Sequence, residues 1–415
     1  SVAYNPDFEH PYQGKGQLFL VFIYFAILLV TSVILGASRI DELRKSEILF
    51  YEIFAMLFAN GIAYTQICLV TATLANIIPI LYILFAQILV LILWTGISFY
   101  FVHRLNPPEK LLIIYGSHLA TEIVYKMSRL EDRFVITESA NVDVGFDELT
   151  KSIEKFESVI ICDVPARMRN DLLKYCYQQN KTIYVIPKIS DIVIRSAADI
   201  TYFDSPIIRC SSVGLSVEQR AIKRLVDVVF SSLALLFFSP MFIIISLAIK
   251  LYDGGPVFYK QRRCTRDMKP FDILKFRSMI VDAEKNGPQP AVDNDSRITP
   301  VGKIIRALRV DELPQIINIL KGDMSIVGPR PERIEHVEKY SEQIPEFVCR
   351  YKVKGGLTGY AQVYGKYNTS AYNKLKMDLI YIQNYSIAMD FKLMLMTLKI
   401  LFKKDSTEGF NKKGS

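Results

Sequence analysis

The sequence lacks the residue patterns that build metal centres and covalent cross-links. Its six cysteines include no CxxC pair, and its four histidines show no metal-ligand spacing. The cysteines are Cys68, Cys162, Cys176, Cys210, Cys264 and Cys349. Structural zinc sites and disulfide frameworks need closely spaced or paired ligands. We therefore expect neither, and we expect buried thiols in a reducing compartment.

We also expect no secretory signal in this sequence. Residues 1–17 are polar, and the sequence begins with Ser1 rather than Met. The run over residues 18–38 has no charge, and about 20 helical residues cross a bilayer core. Residues 48–102 are nearly uncharged as well and fit a helical hairpin that turns near Asn76. The sequence thus predicts about three spanning helices within residues 1–105, and the basic residues at their ends predict a cytoplasmic location for everything after residue 103.

Net positive charge is lacking in the first half of the chain. Residues 1–222 carry 19 Lys/Arg and 22 Asp/Glu, a net charge of −3, whereas residues 223–415 carry 31 and 20, a net charge of +11. A basic surface attracts the phosphates of nucleic acids, anionic lipids or nucleotide substrates. The chain has no motif that reads a nucleic-acid groove, so nucleic acid is not an expected partner.

Residues 106–205 show the pattern of a small parallel α/β domain. Apolar runs at 111–115, 133–137, 158–164 and 182–187 alternate with helical patterns at 119–130 and 166–179. The first run is followed by Gly116-Ser117-His118, which is not the GxGxxG of a dinucleotide-binding turn. We expect a Rossmann-like cytosolic domain with a regulatory, docking or vestigial role, followed by a linker over residues 206–222.

An apolar stretch from Leu225 to Ile249 has Ser239-Pro240 at its centre and basic residues on both flanks. Proline lacks an N–H group and disturbs the helical turn before it, so a kinked spanning helix is one interpretation. The equal charge of the two flanks favours the other, a helix interrupted at Ser239-Pro240 that re-enters on the same side. The Ser239 hydroxyl is a candidate partner for backbone groups freed at the break. From these residues alone, both topologies stay open.

Three runs in residues 255–405 contain candidate phosphate-binding cations. Two predicted strands present Lys260, Lys275 and Arg277, and a glycine-rich loop ends at Lys366. A third run, 296–331, contains Asp311 and Glu312 close to the start of a helix, because Pro314 is tolerated in a first helical turn. Capping of that helix by Asp311 is therefore the simplest structural role. Two adjacent carboxylates also repel unless a cation offsets them, and Mg²⁺ with substrate phosphates would do so.

Arginines surround this carboxylate pair in sequence. Arg306 and Arg309 precede it, and Arg330 lies between Pro329 and Pro331 in a stiff, extended segment. A guanidinium held in this way is suited to bidentate contact with a phosphate. Gly322 is expected to end the intervening helix in the left-handed conformation. The last helical pattern, residues 385–404, is expected to be an interfacial helix or an ordinary core helix.

The order KRLVDVVFSS, GPVFYKQ, LKFRSM, RITPVGKIIRALRVDELPQIINILKGDMSIVGPRP and GLTGYAQVYG closely resembles the bacterial sugar transferase family. These are monotopic phosphoglycosyl transferases, also called polyprenyl-phosphate hexose-1-phosphate transferases. The resemblance covers about residues 221–404, and it implies a membrane α/β fold. The expected parts are a transmembrane region (1–105), the α/β domain, an α+β catalytic domain (223–405) with a re-entrant helix (223–251) and interfacial helices, and a tail (406–415).

The resemblance implies that Asp311 is a nucleophile that takes the sugar-phosphate from a UDP-sugar, with release of UMP. A polyprenyl phosphate, such as undecaprenyl phosphate, then accepts the group. Glu312 is implied as a Mg²⁺ ligand, and Ser239-Pro240 as the break of the re-entrant helix. The implied substrate-binding residues are Lys260, Lys275, Arg277, Arg306, Arg309, Arg330 and Lys366. The implied setting is exopolysaccharide, capsule or lipopolysaccharide (O-antigen) synthesis at the cytoplasmic face of a bacterial inner membrane.

The sequence departs from the family pattern at Gly355, Tyr360 and Lys366, where Pro, Trp and Arg are usual. These departures affect the expected sugar or nucleotide preference, and the sugar itself is not predicted. Larger members usually have four spanning helices, so we expect that an upstream helix is missing here, and a homodimer is an expected assembly. The alternative function is an inactive membrane scaffold or regulator of polysaccharide assembly, against which the intact Asp311-Glu312 pair argues.

Overall fold

The computed structural model describes residues 15–37, 40, 43–116, 124–125, 127, 133–210, 214–283, 295–366 and 369–401. The chain divides into two compact units, Ser1–Pro187 and Lys188–Ser415. Most of the predicted helix at 119–130 and the predicted tail at 406–415 lie outside the described residues.

The first unit begins with three long apolar helices: α1 (Lys15–Leu35), α2 (Lys45–Thr71) and α3 (Ile78–Leu105). All three are long and apolar enough to cross a membrane, and most of their large apolar side chains are exposed. Such side chains are unfavourable in water and favourable in lipid. The three predicted spanning segments are thus helices of the expected length.

Polar side chains join these three helices. Asn60 donates to Gln87 (2.9 Å), Gln87 donates to Tyr24 (2.9 Å), and the Tyr24 hydroxyl donates back to Asn60 (3.3 Å). This closed ring takes one residue from each helix. A second bond joins Ser32 of α1 to Glu52 of α2 (2.8 Å). Interhelical hydrogen bonds of this kind hold helices together where the hydrophobic effect is weak, as it is in lipid.

The α/β part of the first unit has a four-stranded parallel sheet in the order β2-β1-β3-β4. The strands are β1 (Glu109–Tyr115), β2 (Phe134–Asn141), β3 (Ser158–Cys162) and β4 (Thr182–Val185), with α4 (Phe146–Glu154) and α5 (Ala166–Gln178) between them. The central strands β1 and β3 are buried on both faces. Such burial is typical of a parallel sheet covered on both sides. The four predicted strands are confirmed.

The second unit starts with α6 (Ile189–Arg195) and the hairpin β5 (Ala198–Tyr202) and β6 (Ser205–Arg209). It continues with α7 (Val217–Asp253) and the antiparallel hairpin β7 (Phe258–Cys264) and β8 (Pro270–Phe276). Then follow α8 (Pro300–Ala307), α9 (Gln315–Lys321), β9 (Ser325–Val327), α10 (Ile334–Gln343), β10 (Gly356–Thr358), α11 (Tyr360–Tyr364), α12 (Ala371–Gln383) and α13 (Ile387–Leu401). Strands β9 and β10 form a short parallel pair.

Helix α7 runs through Pro240 as a single helix of 37 residues, and it too is long and apolar enough to cross a membrane. Proline removes the N–H that would bond to the carbonyl four residues earlier, which is that of Leu236. The Ser239 hydroxyl donates to this carbonyl instead, at 2.8 Å. The Ser239 hydroxyl thus has its expected partner, but the helix is not interrupted at Ser239-Pro240 as expected, because helical structure continues through both residues.

Both ends of α7 are fixed to the second unit by buried contacts. Near its start, Asp227 accepts hydrogen bonds from the Ser325 hydroxyl (3.0 Å) and the Ile326 N–H (2.9 Å). Toward its end, Phe242 and Ile249 join a core that includes Phe276 and Ile305. Helix α13, the predicted interfacial or core helix, buries Leu393, Leu395 and Met396 and leaves Leu398 exposed. It therefore contributes one face to the core.

Candidate active site

The carboxylate pair lies on a tight turn between α8 and α9. Helix α8 is capped by Thr299, whose hydroxyl accepts from the Gly302 N–H, and it stops before Arg309. Arg309 is in the left-handed region (φ 55°), which a side chain other than glycine adopts at a cost. A 3₁₀ turn over Val310–Glu312 follows, and then Pro314 as the N-cap of α9. Asp311 therefore does not cap α9, and the simplest structural role proposed from its sequence is wrong.

Glu312 is held by two cations from different elements. Its Oε1 accepts from Lys275 Nζ on β8 (2.7 Å) and from Arg330 Nη2 (2.6 Å). Burial alone would raise the pKa of Glu312, but Arg330 and Lys275 hold that pKa well below its usual range. Glu312 is therefore ionised at neutral pH, and it fixes both cations beside Asp311.

Asp311 is in a different situation. Within the described residues, its carboxylate bonds only to its own backbone N–H. Burial raises the pKa of Asp311 above its ordinary value; Lys275 and Arg306 oppose the rise, and Glu312 adds to it. Arg306 is oriented by Ser278, since its Nε donates to the Ser278 hydroxyl at 2.8 Å. Glu312 is thus hydrogen-bonded to two cations, whereas the Asp311 carboxylate has no hydrogen bond to another side chain within the described residues.

Backbone contacts support Arg330. The Pro329 carbonyl accepts from the Gly356 N–H (2.9 Å), and the Arg330 carbonyl accepts from Arg350 Nη2 (3.0 Å). Arg350 is itself nearly fully buried. The Arg330 side chain remains 43% exposed beyond this segment and is therefore accessible from solvent. The predicted stiff segment thus positions a guanidinium next to the carboxylate pair.

Glycine at position 355, one of the departures from the family pattern, lies against Pro331. A Cβ atom added there would be 2.6 Å from Pro331 Cγ, closer than side chains normally approach. The proline that is usual at this position would therefore require Pro331 to move in this chain. Glycine at position 355 thus allows the close contact with Pro331, the residue that follows Arg330.

Two residues that the sequence reasoning missed belong to this region. Gln261 and Arg263 lie on the face of the β7–β8 hairpin that also carries Lys275, since Tyr259 pairs with Lys275 in the antiparallel register. Arg263 donates to the Gln261 side chain (2.6 Å) and to the Pro331 carbonyl (3.0 Å). The alternation of side chains along residues 258–264 is the signal that would have identified them.

Among the described residues, no contact is found between the pair and three other predicted residues, Lys260, Arg277 and Lys366. Lys260 is exposed on the opposite face of the hairpin from Lys275. Arg277 is buried and makes a two-pronged ion pair with Asp253 at the end of α7. Lys366 is exposed after α11, where its N–H donates to the Thr369 hydroxyl (2.8 Å). Arg309 is part of the turn itself and half-buried.

Binding of a divalent cation at this site would depend on the donor groups present. Within the described residues, no group of three or more His, Cys, Asp or Glu side chains is arranged to hold a metal. Mg²⁺ bound with substrate commonly takes only one or two carboxylates and completes its shell with water and phosphate oxygens. Asp311 and Glu312 fit that smaller donor set. Cations around two carboxylates are also what a phosphoryl transfer requires for charge stabilisation.

Comparison with known proteins matches residues 218–404 to a family model described as Bacterial sugar transferase. One relative is a UDP-N-acetylgalactosamine-undecaprenyl-phosphate N-acetylgalactosaminephosphotransferase from Aeromonas hydrophila, 41% identical over 43% of this chain and 43% of the relative. Another is a UDP-glucose:undecaprenyl-phosphate glucose-1-phosphate transferase from Escherichia coli (strain K12), 41% identical over 46% of this chain and 43% of the relative. Each match thus spans less than half of the relative's length.

A shorter relative is covered almost completely. It is an exopolysaccharide production protein, PSS, from Rhizobium leguminosarum bv. phaseoli, 39% identical over 43% of this chain and 93% of the relative. The matched region contains the whole carboxylate turn, Lys275 and Arg330. The chain belongs to the bacterial sugar transferase family.

Proposed function

We propose that this protein transfers a sugar-1-phosphate from a UDP-sugar to a polyprenyl phosphate, such as undecaprenyl phosphate, in bacterial polysaccharide synthesis. The observation that carries the proposal is the difference in contacts between the carboxylates of Glu312 and Asp311. Glu312 is hydrogen-bonded to Lys275 and Arg330, while the Asp311 carboxylate has no hydrogen bond to another side chain within the described residues. The names of two relatives, both undecaprenyl-phosphate sugar phosphotransferases, support the reaction class.

In the first step, a carboxylate oxygen of Asp311 bonds to the sugar-proximal phosphorus of the UDP-sugar. The bond from that phosphorus to the bridging oxygen breaks, and UMP leaves with the electron pair. A covalent sugar-phosphate ester on Asp311 remains. A carboxylate nucleophile divides one transfer between two dissimilar substrates into two easier steps.

In the second step, a phosphate oxygen of the polyprenyl phosphate bonds to the same phosphorus. The bond from Asp311 to phosphorus breaks, which restores the carboxylate and leaves a diphosphate-linked lipid. Both nucleophiles are anions, so neither step needs a general base. The two substrates use one site in turn.

The cations would offset charge on the transferred group. Arg330 is exposed enough to meet the diphosphate, and Arg306 and Lys275 act on the charge of Asp311. Mg²⁺, with Glu312 as a protein ligand, would supply further positive charge at the phosphate oxygens when bound. Lys260, Arg309 and Lys366 stay predicted substrate contacts, whereas Arg277 is already occupied by Asp253.

Helix α7 is proposed to re-enter the membrane rather than cross it, with the catalytic unit at the cytoplasmic face of the inner membrane. The Ser239 bond to the Leu236 carbonyl supports a backbone that is satisfied at Pro240 within lipid. Cysteine probes introduced near residues 222 and 256 should both be labelled from the cytoplasmic side. Labelling of the two probes from opposite sides would establish a crossing helix instead.

The reaction is tested with membranes that contain the protein, Mg²⁺, undecaprenyl phosphate and a panel of labelled UDP-sugars. UMP release together with a labelled lipid is expected with at least one sugar. The relatives differ in the sugar that their names give, so the panel includes both glucose and N-acetylgalactosamine. Absence of both products with every sugar would contradict the proposal and favour the inactive scaffold. The predicted homodimer stays a prediction.

A further inference from the structure

A second basic site lies in the C-terminal unit, at the start of α7. It is a cavity of about 150 Å³. Its cationic lining residues are Arg220, Lys223, Arg224, Arg266, Lys352 and Lys354. The single carboxylate in its lining is Asp227.

Two of these cations are ion-paired with carboxylates. Lys223 is buried in an ion pair with Asp390 (2.6 Å), and Arg266 contacts Asp267 (3.2 Å). Asp227 accepts hydrogen bonds from Ser325 and the Ile326 N–H, and its single negative charge offsets only part of the remaining positive charge.

Four cations in the lining have no ion pair with any described carboxylate. Arg224 is hydrogen-bonded to the neutral carbonyls of Ile319 (2.6 Å) and Leu320 (2.7 Å), which orient it without cancelling its charge. The other three are Arg220, Lys352 and Lys354. Burial lowers the pKa of Lys354, and the neighbouring Arg224 and Arg266 lower it further. Like charges held this close are costly unless an anion joins them.

From this arrangement we infer that the cavity at the start of α7 is a binding site for one phosphate group, separate from the catalytic site. Its volume of about 150 Å³ leaves room for a tetrahedral oxyanion. None of the described residues that line it has an aromatic side chain against which a base would stack. Lysine and arginine side chains from several elements converge on it, as in charge-assisted phosphate binding.

The site lies at the opposite end of α9 from the carboxylate pair. Arg224 binds the C-terminal carbonyls of α9, whereas Asp311 and Glu312 immediately precede that helix. Seven helical residues span about 10 Å. The phosphate bound here is therefore not the one that is transferred.

Two sources supply a phosphate group at this place. The apolar run of α7 begins at Leu225, next to Arg224, so the headgroup of an anionic lipid is within reach if this end of the helix meets the bilayer surface. Soluble inorganic phosphate offers the same chemistry. The test separates the two sources.

The test is lysine acylation footprinting of the full-length protein in nanodiscs, read by mass spectrometry at Lys354. One arm adds inorganic phosphate to nanodiscs of phosphatidylcholine, and the other replaces part of that lipid by phosphatidylglycerol without free phosphate. A ligand at ten times its Kd leaves about a tenth of the sites empty, so the acylation rate should fall about tenfold. Protection in the first arm identifies soluble phosphate, and protection in the second alone identifies a lipid headgroup.

Variants establish where the protection arises. Arg220→Gln with Arg266→Gln removes two exposed or half-exposed lining charges and should weaken the protection of Lys354, whereas Lys174→Gln with Lys339→Gln removes two exposed charges elsewhere and should not. Asp311→Asn should retain full protection, which keeps the result independent of the proposed reaction. Absence of protection in both arms, or equal protection in both double variants, would overturn the inference.

Discussion

Replacement of Arg330 by glutamine should separate catalysis from folding. The variant loses the 2.6 Å contact with Glu312 but keeps the Lys275 contact to the same oxygen. The Arg330 side chain is 43% exposed, so solvent screens the pair and its loss should cost at most about 1 kcal/mol of folding stability. The turn that carries Asp311 should keep its structure.

The effect on catalysis should be larger. A preorganised donor aimed at charge that develops in the transition state is worth about 10²–10³ in rate, or about 3–4 kcal/mol. Arg330→Gln should therefore lower kcat/KM for the UDP-sugar by about that factor, while the unfolding temperature changes little. UMP release measures the first quantity, and thermal unfolding in detergent measures the second.

Arg262→Gln is the matched control. Arg262 lies on the opposite face of the β7–β8 hairpin, 65% exposed and 3.4 Å from Asp272. It should change neither activity nor stability appreciably. An Arg330→Gln enzyme with near-normal kcat/KM, or one whose activity falls only in step with its folded fraction, would refute the role given to Arg330.

The remaining predictions concern pH and the proline in α7. Because burial raises the pKa of Asp311, this proposed nucleophile should be protonated as the pH falls, and the acid limb of kcat/KM should lie above the ordinary aspartate value of about 4. Arg306 lowers that pKa, so Arg306→Gln should move the limb to still higher pH, whereas the exposed Lys303→Gln on the same helix should leave it in place. Ser239→Ala removes the donor to the Leu236 carbonyl and should cost about 1 kcal/mol in thermal unfolding, yet little in a Pro240→Ala background, where the backbone N–H is restored. Equal costs in the two backgrounds would show that the hydroxyl does not substitute for that N–H.

The sequence was most informative where function depends on adjacent residues. Asp311 and Glu312 are neighbours, and the two prolines around Arg330 restrict its backbone, so both features were visible as local patterns. The three apolar helices and the strands of the parallel sheet are also local patterns, which the length and periodicity of their apolar runs indicate.

The sequence was least informative where the role of a residue depends on a distant partner. Arginine commonly binds phosphate, but the partner of Arg277 is Asp253, 24 residues earlier. This ion pair joins the end of α7 to the residue that follows β8. Lys260 and Arg263 are similar in sequence, yet strand alternation places them on opposite faces of the hairpin. Helix α9 also begins later than the sequence indicated, at Gln315, because Arg309 adopts a left-handed conformation and a 3₁₀ turn precedes the helix.

The central claim is that Asp311 becomes covalently attached to the sugar-phosphate. The most direct measurement is peptide mass spectrometry of the protein after incubation with UDP-sugar and Mg²⁺ in the absence of the lipid acceptor. A sugar-phosphate adduct is expected on the peptide that contains Asp311; it should be lost in Asp311→Asn and kept in Asp272→Asn, a control on the hairpin. An adduct that survives Asp311→Asn, or UMP release with no adduct on this peptide, would contradict the account.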